Sequence, residues 1–275
     1  MEKYKERIQK SFNNSSNLYD ENSLIQQEVA NRLVDRIKYL KFEPLNILDI
    51  GSGTGYLAKK LQLCFPKAKF CCLDISENMS IICKSKNKKM HVVCGDAELL
   101  PLKKSNFDLI ISSFTFHWCK NLEKIFFDIR NLLKKHGVFI FSTVGPDTLM
   151  ELKGIFKEID NYQHVNSFID MHTFGDLLLS LGFSDPVMDV DRITVKYENI
   201  TELLKSLRNT GSNIVMTDER KFLGREAISK IRNACQKNTE NKFFSTTYEI
   251  IYSIAWNNVP KDFPKDKKVI QIKKI

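Results

Sequence analysis

A glycine-rich stretch, LDIGSGTGY at residues 48–56, is the part of the sequence most suited to bind a small ligand. Its three glycines are Gly51, Gly53 and Gly55. Glycines let a backbone pass close to a ligand and adopt positive φ. Position 56 is Tyr56 where a dinucleotide fingerprint needs glycine, and the stretch lacks the lysine of a P-loop. Asp49, two residues before the first glycine, instead favours a ligand with an ammonium group over one with a pyrophosphate.

Two more acids follow later predicted strands. Asp74 ends the segment KFCCLD, and Asp96 stands in GDAELLPL after the next strand. At the carboxyl edge of a parallel sheet, the Asp74 carboxylate can accept both hydroxyls of a ribose. The alternative is a cap on the following helix, for which Ser76 is also available. Asp96 can accept from an adenine amino group with the backbone of Ala97 as donor, or it is a simple turn residue.

The elements that must position these acids alternate regularly in the first half of the chain. Predicted strands at 46–50, 69–74, 90–94, 107–113 and 138–144 alternate with predicted helices at 56–65, 77–86 and 121–135. Most of these strands are continuously apolar, as in strands buried on both faces. The alternation predicts an α/β fold with a doubly wound, mostly parallel sheet.

The second half of the chain is less regular. Helices are predicted at 148–160, 171–183, 200–211 and 225–236, and the last two strands at 186–197 and 246–257, so that a helical insertion of about 199–243 separates those strands. At the N-terminus, a polar loop at 13–22 precedes a predicted helix at 24–40. These boundaries divide the chain into an N-terminal helical lid segment at 1–40, a main domain at 41–260 and a basic tail at 261–275.

Composition excludes several classes of protein. The chain has 275 residues, 43% of them apolar and 27% charged, which is typical of a globular protein rather than a disordered one. Its apolar runs are too short for a membrane helix. Seven cysteines without a CxxC pair, and five histidines without HxxxH or HExxH spacing, predict reduced core cysteines and no metal site. The N-terminus has no apolar signal segment. A cytoplasmic protein is therefore expected.

The net charge of +9 is compatible with nucleic acid, an anionic membrane or an acidic protein as partner, or with a compositional bias alone. The basic segments 84–89 and 261–275 contribute much of it. The net charge by itself does not distinguish between these partners.

Taken together, the acid before the glycines, the acid at the strand end and the GDAELLP segment resemble the class I S-adenosylmethionine-dependent methyltransferases. The resemblance implies a seven-stranded Rossmann-like sheet with S-adenosyl-L-methionine as cofactor. Asp49 and the glycines would hold its methionine part, Asp74 its ribose, and Asp96 with Ala97 its adenine. Ser113 would line the same site. The full set implied to bind the cofactor is Asp49, Gly51, Gly53, Gly55, Asp74, Ile75, Met79, Asp96, Ala97, Ser112 and Trp118.

Longer segments at 116–152, 165–197 and 203–213 are similar to the malonyl-acyl-carrier-protein O-methyltransferases of biotin synthesis, and segments 11–33 and 246–256 fit as well. The resemblance implies methylation of the free carboxylate of malonyl-acyl carrier protein, an acidic partner that suits the positive charge. It implies neither nucleic acid nor membrane as partner. We expect a monomer.

Three residues are candidates for binding or positioning the substrate. Tyr19 is predicted to close over the cofactor site, and otherwise is a surface aromatic. His117 could donate a hydrogen bond to the substrate or serve in packing. Arg208, with Lys205 on the same helix, is predicted to anchor the malonyl carboxylate, because a guanidinium binds a carboxylate with two parallel hydrogen bonds. The alternative for Arg208 is a solvated helix face.

Other functions remain open on the sequence alone. One is an arginine-modifying protein of the type that assembles respiratory complex I, which resembles the same family. Another is a non-catalytic, cofactor-binding assembly protein. A third is nucleic-acid methylation, for which the sequence offers neither an NPPY-type motif nor an appended RNA-binding domain.

Overall fold

A computed structural model describes residues 3–217, 231 and 243–258. Within these residues the elements follow the predicted alternation, preceded by N-terminal helices. In chain order they are α1 (Lys3–Ser15), α2 (Tyr19–Asn22), α3 (Leu24–Lys38), β1 (Asn46–Ile50), α4 (Tyr56–Cys64), β2 (Lys69–Asp74), α5 (Glu77–Lys86), β3 (His91–Cys94), β4 (Phe107–Ser113), a 3-10 turn (Phe116–Trp118), α6 (Leu122–Leu132), β5 (Leu133–Val144), α7 (Met150–Lys157), α8 (Met171–Ser180), β6 (Ser184–Tyr197), α9 (Ile200–Asn209) and β7 (Phe244–Trp256).

The strands form a single seven-stranded sheet in the order β3-β2-β1-β4-β5-β7-β6. The first five strands in this order are parallel, and β7 runs antiparallel to both β5 and β6. The sheet is therefore mostly parallel, as predicted. Its order reverses between β1 and β4, and ligands of open α/β sheets bind outside the carboxyl ends of the strands at such a point.

Helices cover both faces of the sheet, which confirms the doubly wound architecture. On one face, α3 and α4 pack against side chains such as Ile47, Leu109 and Ile140. On the other face, α6 and α8 pack against Leu48 and Phe139 with their strand neighbours. Because successive strand residues point to opposite faces, apolar runs are needed in strands that are buried on both sides.

Two boundaries differ from the predictions in an informative way. The polar loop predicted at 13–22 is largely helical, since α1 extends to Ser15 and α2 begins at Tyr19. The helix predicted at 121–135 ends at Leu132, and β5 begins at Leu133, which pairs with Phe107 ahead of a register shift. The charged segment 134–136 has no strand-like alternation. It forms an irregularity in the pairing with β4, which resumes at Val138, and His136 within it has φ of +65°.

The predicted insertion at 199–243 begins with α9, whose N-terminus is capped by Asn199. The predicted helix at 225–236, apart from Ile231, and the basic tail at 261–275 lie outside the described residues. No helix within the described ranges is long and apolar enough to cross a membrane. The same ranges contain no cluster of three or more potential metal-ligating side chains from His, Cys, Asp or Glu.

Candidate functional site

The glycine loop makes a tight turn between β1 and α4. Gly51, Gly53 and Gly55 have φ of +73°, +53° and +82°, a region that strongly favours glycine. The Gly51 N–H donates to the Leu73 carbonyl at 2.7 Å, which ties the loop to β2. A Cβ on Gly51 would lie 1.9 Å from Thr115 Oγ1, whereas a Cβ on Gly53 would meet only Tyr19 Cε1 at 3.9 Å. The loop is therefore pressed against protein at Gly51 and faces open space at Gly53.

Asp49 is buried beneath this loop, with an exposed fraction of 1%. Its Oδ2 has no hydrogen-bond partner among the described residues. Burial raises the pKa of this carboxyl well above its usual range, and the nearby Cys83 and Asp74 add to the shift. The side chain lines a small cavity of about 50 Å³, the Asp49 cavity, which also contacts Gly53 and Tyr19. A buried carboxylate oxygen without a partner fits a cationic ligand group such as the ammonium of a methionine.

Asp74 braces the glycine loop from the end of β2. Its Oδ2 accepts from the Gly53 N–H and its Oδ1 from the Ser76 N–H, both at 2.8 Å. Ser76 itself caps α5, because its hydroxyl accepts from the Met79 N–H at 3.2 Å. The helix-capping role that was the alternative for Asp74 therefore belongs to Ser76. Burial raises the pKa of Asp74, while the two backbone hydrogen bonds oppose the rise.

Beside the loop lies a cavity of about 90 Å³, the loop cavity. It brings together most of the residues predicted to bind the cofactor. Those that line it are Gly51, Gly53, Asp74, Ile75, Met79, Asp96, Ala97, Ser113 and Trp118, together with the predicted closing residue Tyr19.

Three predicted cofactor residues lie outside this lining. Asp49 lines the adjoining Asp49 cavity. Gly55 is the N-cap of α4, where a Cβ would lie 2.7 Å from Cys83 Sγ. The Ser112 side chain is buried and donates to the Ile50 carbonyl at 2.8 Å, so it holds β4 against β1 instead of lining the cavity. Ser113 lines the cavity in its place, because neighbouring strand residues point to opposite faces.

Helix α1 covers the loop cavity and supplies residues that the sequence analysis missed. Lys5, Ile8 and Phe12 line the cavity. The Lys5 ammonium bonds Asp96 Oδ2 at 2.6 Å and Glu98 Oε2 at 2.9 Å, and its side chain is only 12% exposed. The Phe12 ring packs edge-on against Trp118 at 5.8 Å. The four-residue spacing of Ile8 and Phe12 is a helical signal that could have identified this face.

Helix α2 is tied to the glycine loop. Asp20 accepts from the Thr54 hydroxyl at 2.5 Å and pairs with Lys86 of α5. These bonds place Tyr19 against both the loop cavity and the Asp49 cavity. Burial raises the pKa of Tyr19, and the charges of Asp74 and Asp20 raise it further, so the phenol stays protonated at neutral pH.

A second cavity of about 270 Å³, the middle cavity, shares Phe114 and Trp118 with the loop cavity. Phe114 has φ of +54°, an uncommon conformation for an aromatic residue that clusters at functional sites. The Phe114 N–H donates to the Ser142 carbonyl at 3.0 Å, which holds this backbone in place. The ring therefore forms part of the wall between the two cavities. The sequence has no signal for this role.

His117 lines the middle cavity next to Trp118. It packs against the rings of Phe114, Trp118 and Phe168 at centroid distances of 4.8–6.1 Å. Burial lowers its pKa to about 3, so the imidazole is neutral at physiological pH. Its Nδ1 has no hydrogen-bond partner in the described part of the chain. A neutral imidazole can offer a hydrogen bond to a ligand in this cavity but carries no positive charge.

The structure does not place Arg208 in either cavity. Its side chain is exposed, and Leu204, Ser206 and Leu207 are the α9 residues that line the middle cavity near it. Lys205 is also outside the lining and lies 3.7 Å from Glu202. The described lining of the middle cavity contains no lysine or arginine. The charged face of α9 is turned to solvent because its apolar face is buried, which is the alternative that the sequence left open.

The family comparisons agree with this geometry. Residues 48–141 match the family model described as a methyltransferase domain. The chain is 33% identical over 267 residues to the malonyl-[acyl-carrier protein] O-methyltransferase of Gallionella capsiferriformans, covering 94% of this chain and 92% of that one. It is 35% identical over 277 residues to the enzyme of the same name from Nitrosospira multiformis, covering 94% and 90%.

Two solved structures share the fold. The YcgJ protein of Bacillus subtilis superposes with a TM-score of 0.59 at 15% identity, covering 82% of this chain and 97% of that one. The phosphoethanolamine N-methyltransferase 2 of Haemonchus contortus, solved with S-adenosyl-L-methionine, has a TM-score of 0.52 at 20% identity and covers 84% and 52%. At these identities the likeness establishes the architecture alone.

Proposed function

The chain belongs to the family of malonyl-[acyl-carrier protein] O-methyltransferases, and we propose that it methylates the free carboxylate of a malonyl group carried on acyl carrier protein. Membership makes it an S-adenosylmethionine-dependent O-methyltransferase. The structural observation that carries the proposal is the pair of cavities that share Phe114 and Trp118. One can hold the methyl donor and the other the malonyl group. The methyl ester would enter biotin synthesis.

The residues of the loop cavity and of the adjoining Asp49 cavity fit the methyl donor. Asp49, with its unpartnered oxygen, would hold the ammonium of the methionine part. Asp74 would hold the ribose, and Asp96 the adenine amino group beside Ala97. When bound, S-adenosyl-L-methionine supplies an electrophilic methyl group on a sulfonium. The chain's own task is to fix the donor and the acceptor in line and to keep water out.

The acceptor needs no general base. A carboxyl with an ordinary pKa near 4 is ionised at neutral pH. This agrees with the lowered pKa of His117, which makes its imidazole a weak base, and with the raised pKa of Tyr19, which keeps its phenol protonated at that pH. Catalysis then rests on alignment and on desolvation of the carboxylate, and alignment alone can supply about 7–11 kcal/mol.

The N-terminal segment supports this requirement, and we propose that it acts as the lid. Helix α1 covers the loop cavity through Ile8 and Phe12, while Tyr19 closes the adjoining Asp49 cavity. The Lys5 pair with Asp96 and Glu98 holds α1 in this position. Exchange of the donor requires these contacts to open, because Asp96 is proposed to hold its adenine.

Neutral groups orient the malonyl carboxylate within the described part of the middle cavity. His117 Nδ1 is buried there without a partner in the described structure, and the hydroxyl of Ser206 also lines the cavity. We propose His117 as a hydrogen-bond donor to the acyl group. A carboxylate that is not paired with a cation keeps more of its charge available for attack on the methyl group. This proposal replaces Arg208 as the anchor.

One methylation assay tests the function. Purified protein is incubated with labelled S-adenosylmethionine and malonyl-acyl carrier protein, with its methyl monoester as a matched control. We expect label to enter the malonyl protein as a base-labile ester and not to enter the blocked control. Bulk tRNA and an arginine-containing protein substrate test the alternatives. Label in tRNA or in arginine alone, or label in none of them, contradicts the proposal.

The proposal includes a cellular location and an oligomeric state. The relatives named above are bacterial, and we place this enzyme in the cytoplasm with its carrier protein. We propose that it acts as a monomer, with neither a nucleic acid nor a membrane as partner. Light scattering of the purified protein in the presence of donor checks the oligomeric state.

The rate is expected to be nearly independent of pH around neutrality. Neither His117 nor the malonyl carboxyl titrates there, and Tyr19 titrates above its ordinary range. At saturating donor and acceptor, we expect kcat to vary by less than about twofold between about pH 6.5 and 8.5. A pH profile in buffers of constant ionic strength checks this. A bell-shaped curve centred in this range would show that a titrating acid or base takes part.

A further inference from the structure

A third cavity, of about 360 Å³, adjoins the middle cavity. We call it the outer cavity. It shares Phe156, His164, Val165 and Phe168 with the middle cavity and no residue with the loop cavity. The loop, middle and outer cavities therefore form a series along which a long substrate can lie with only its reactive end near the methyl donor.

The outer cavity carries the positive charge that the described part of the middle cavity lacks. Lys153 and Lys157, one turn apart on α7, both line it, and its described lining contains no aspartate or glutamate. The Lys153 ammonium donates to the Pro146 carbonyl at 2.8 Å and lies 5.1 Å from the centre of the Phe168 ring. Lys157 is exposed at the rim.

The two acids that act electrostatically on Lys153 are engaged elsewhere. Asp147 and Glu249 act on Lys153 electrostatically, but both contact Arg192, at 2.9 and 3.6 Å. Burial lowers the pKa of Lys153, so its ammonium lies in a partly desolvated position where an anion is bound more strongly than at an open surface. The described groups of the outer cavity thus favour an anion.

We propose that the outer cavity admits the pantetheine arm of the substrate, and that Lys153 and Lys157 bind the phosphate that joins the arm to the carrier protein. This inference rests on the proposed function. An acyl carrier protein presents its thioester on an arm of amide groups that ends in one phosphodiester. The order of the cavities matches that chemistry, with neutral groups beside the acyl end and cations one cavity further out.

The remaining lining suits the arm itself. Gln163 and Ser167 can exchange hydrogen bonds with its amides, while Val165 and Phe168 can pack against its methylene groups. A single phosphate between two lysines is a charge-assisted contact, whose loss costs roughly tenfold in binding. The arm would thereby be oriented before the malonyl group reaches Trp118.

Kinetics with three thioesters test the assignment. Lys157→Glu is compared with Lys135→Glu, which makes the same charge change at an exposed position near the start of β5, at the opposite edge of the sheet from the site. The substrates are malonyl-acyl carrier protein, malonyl-CoA and malonyl-N-acetylcysteamine, and only the last lacks the phosphate. We expect Lys157→Glu to raise KM about tenfold for the first two and less than twofold for the third. Lys135→Glu is expected to leave all three unchanged.

Two other outcomes overturn the assignment. An equal rise of KM for all three substrates would place Lys157 in recognition of the acyl end. A rise for the carrier protein alone would show that the lysine contacts the protein surface and not the arm. Lys153→Met serves as the second variant, because it removes the buried charge while keeping an apolar stem.

A binding measurement keeps this test independent of turnover. Calorimetry is expected to show that 4′-phosphopantetheine binds wild-type protein at least fivefold more tightly than pantetheine, and that Lys157→Glu abolishes the difference. Equal affinities in the wild type contradict the phosphate site even if methylation occurs. A preference for the phosphate without any methylation would contradict the proposed function and leave the site standing.

Discussion

Replacing Asp49 by asparagine is expected to weaken S-adenosylmethionine binding about 100-fold while raising the melting temperature of the ligand-free protein. The carboxylate is buried and one of its oxygens has no partner among the described residues. Loss of its pairing with an ammonium costs about 2–3 kcal/mol of binding. Without ligand, the same substitution relieves the cost of burying a charge, so it is expected to stabilise the fold by about 1 kcal/mol, or about 2–4 °C.

The direction of the stability change follows from the pKa of Asp49. Burial raises it in the folded protein, so the folded state holds the proton more tightly than the unfolded state does. The ionised carboxylate therefore lowers stability at pH values above the unfolded pKa of about 4, and asparagine removes that penalty. Donor binding to the wild type should accordingly strengthen as pH rises through the raised pKa.

Asp108→Asn is the matched control. This carboxylate accepts from the Asn46 N–H at 2.8 Å and pairs with Lys134 at 2.8 Å. Although burial opposes the shift, these bonds lower its pKa, so its contribution to stability is present above pH 4 and is lost as pH falls. Asparagine at 108 should lower the melting temperature and leave donor binding unchanged. Calorimetry and thermal denaturation at pH 7 measure both effects. A destabilised Asp49→Asn protein, or one with unchanged affinity, would contradict the assignment.

Replacing Gly51 by alanine is expected to destabilise the protein by about 3–4 kcal/mol and to abolish donor binding. The new Cβ would lie 1.9 Å from Thr115 Oγ1, and the residue would keep φ at +73°. Overpacking costs about 1–3 kcal/mol, and a left-handed conformation costs a non-glycine residue about 1–2 kcal/mol. Thermal denaturation should show a fall in melting temperature of about 6–16 °C.

Two further variants separate the steric overlap with Thr115 from the strain of the positive φ at position 51. Gly154→Ala lies within α7, where a Cβ would meet nothing within 4 Å, so it should stabilise the protein by about 0.5–1 kcal/mol. Thr115→Ala in the Gly51→Ala background removes Oγ1 and Cγ2 but keeps Cβ, 2.8 Å from the new Cβ, and keeps the positive φ, so stability should be recovered only in part. Full recovery would mean that the backbone at position 51 carries no strain. An unchanged melting temperature of Gly51→Ala alone would contradict the tight turn.

Much of the fold was predictable because its signals are local. Continuous apolar strands between amphipathic helices specify a parallel sheet from the sequence alone, and the predicted helix at 77–86 agrees with α5. The boundaries were predicted less well where a neighbour decides the backbone. Strand β5 begins at Leu133 because that residue pairs with Phe107, a contact that no periodicity within 133–137 reports.

Part of the candidate site is likewise predictable from the sequence, and part depends on the tertiary structure. The glycine spacing and the acids at strand ends predict a ligand site, because each needs a particular residue type at a particular bend of the chain. Which neighbouring side chain enters the cavity depends on the direction in which it points. Ser113 lines the cavity while Ser112 holds two strands together. The guanidinium chemistry of Arg208 predicts a carboxylate anchor, but its side chain is exposed to solvent.

The class of fold, the glycine loop and the family of the chain follow from the sequence alone. These properties depend on local backbone geometry and on motifs that are contiguous in the chain. Only the tertiary structure showed that Lys5 bonds Asp96, that Phe114 separates two cavities, and that Lys153 lies one cavity beyond the middle one. Such contacts join residues far apart in sequence, and they form only when the buried faces of the helices and the sheet have fixed one packing arrangement.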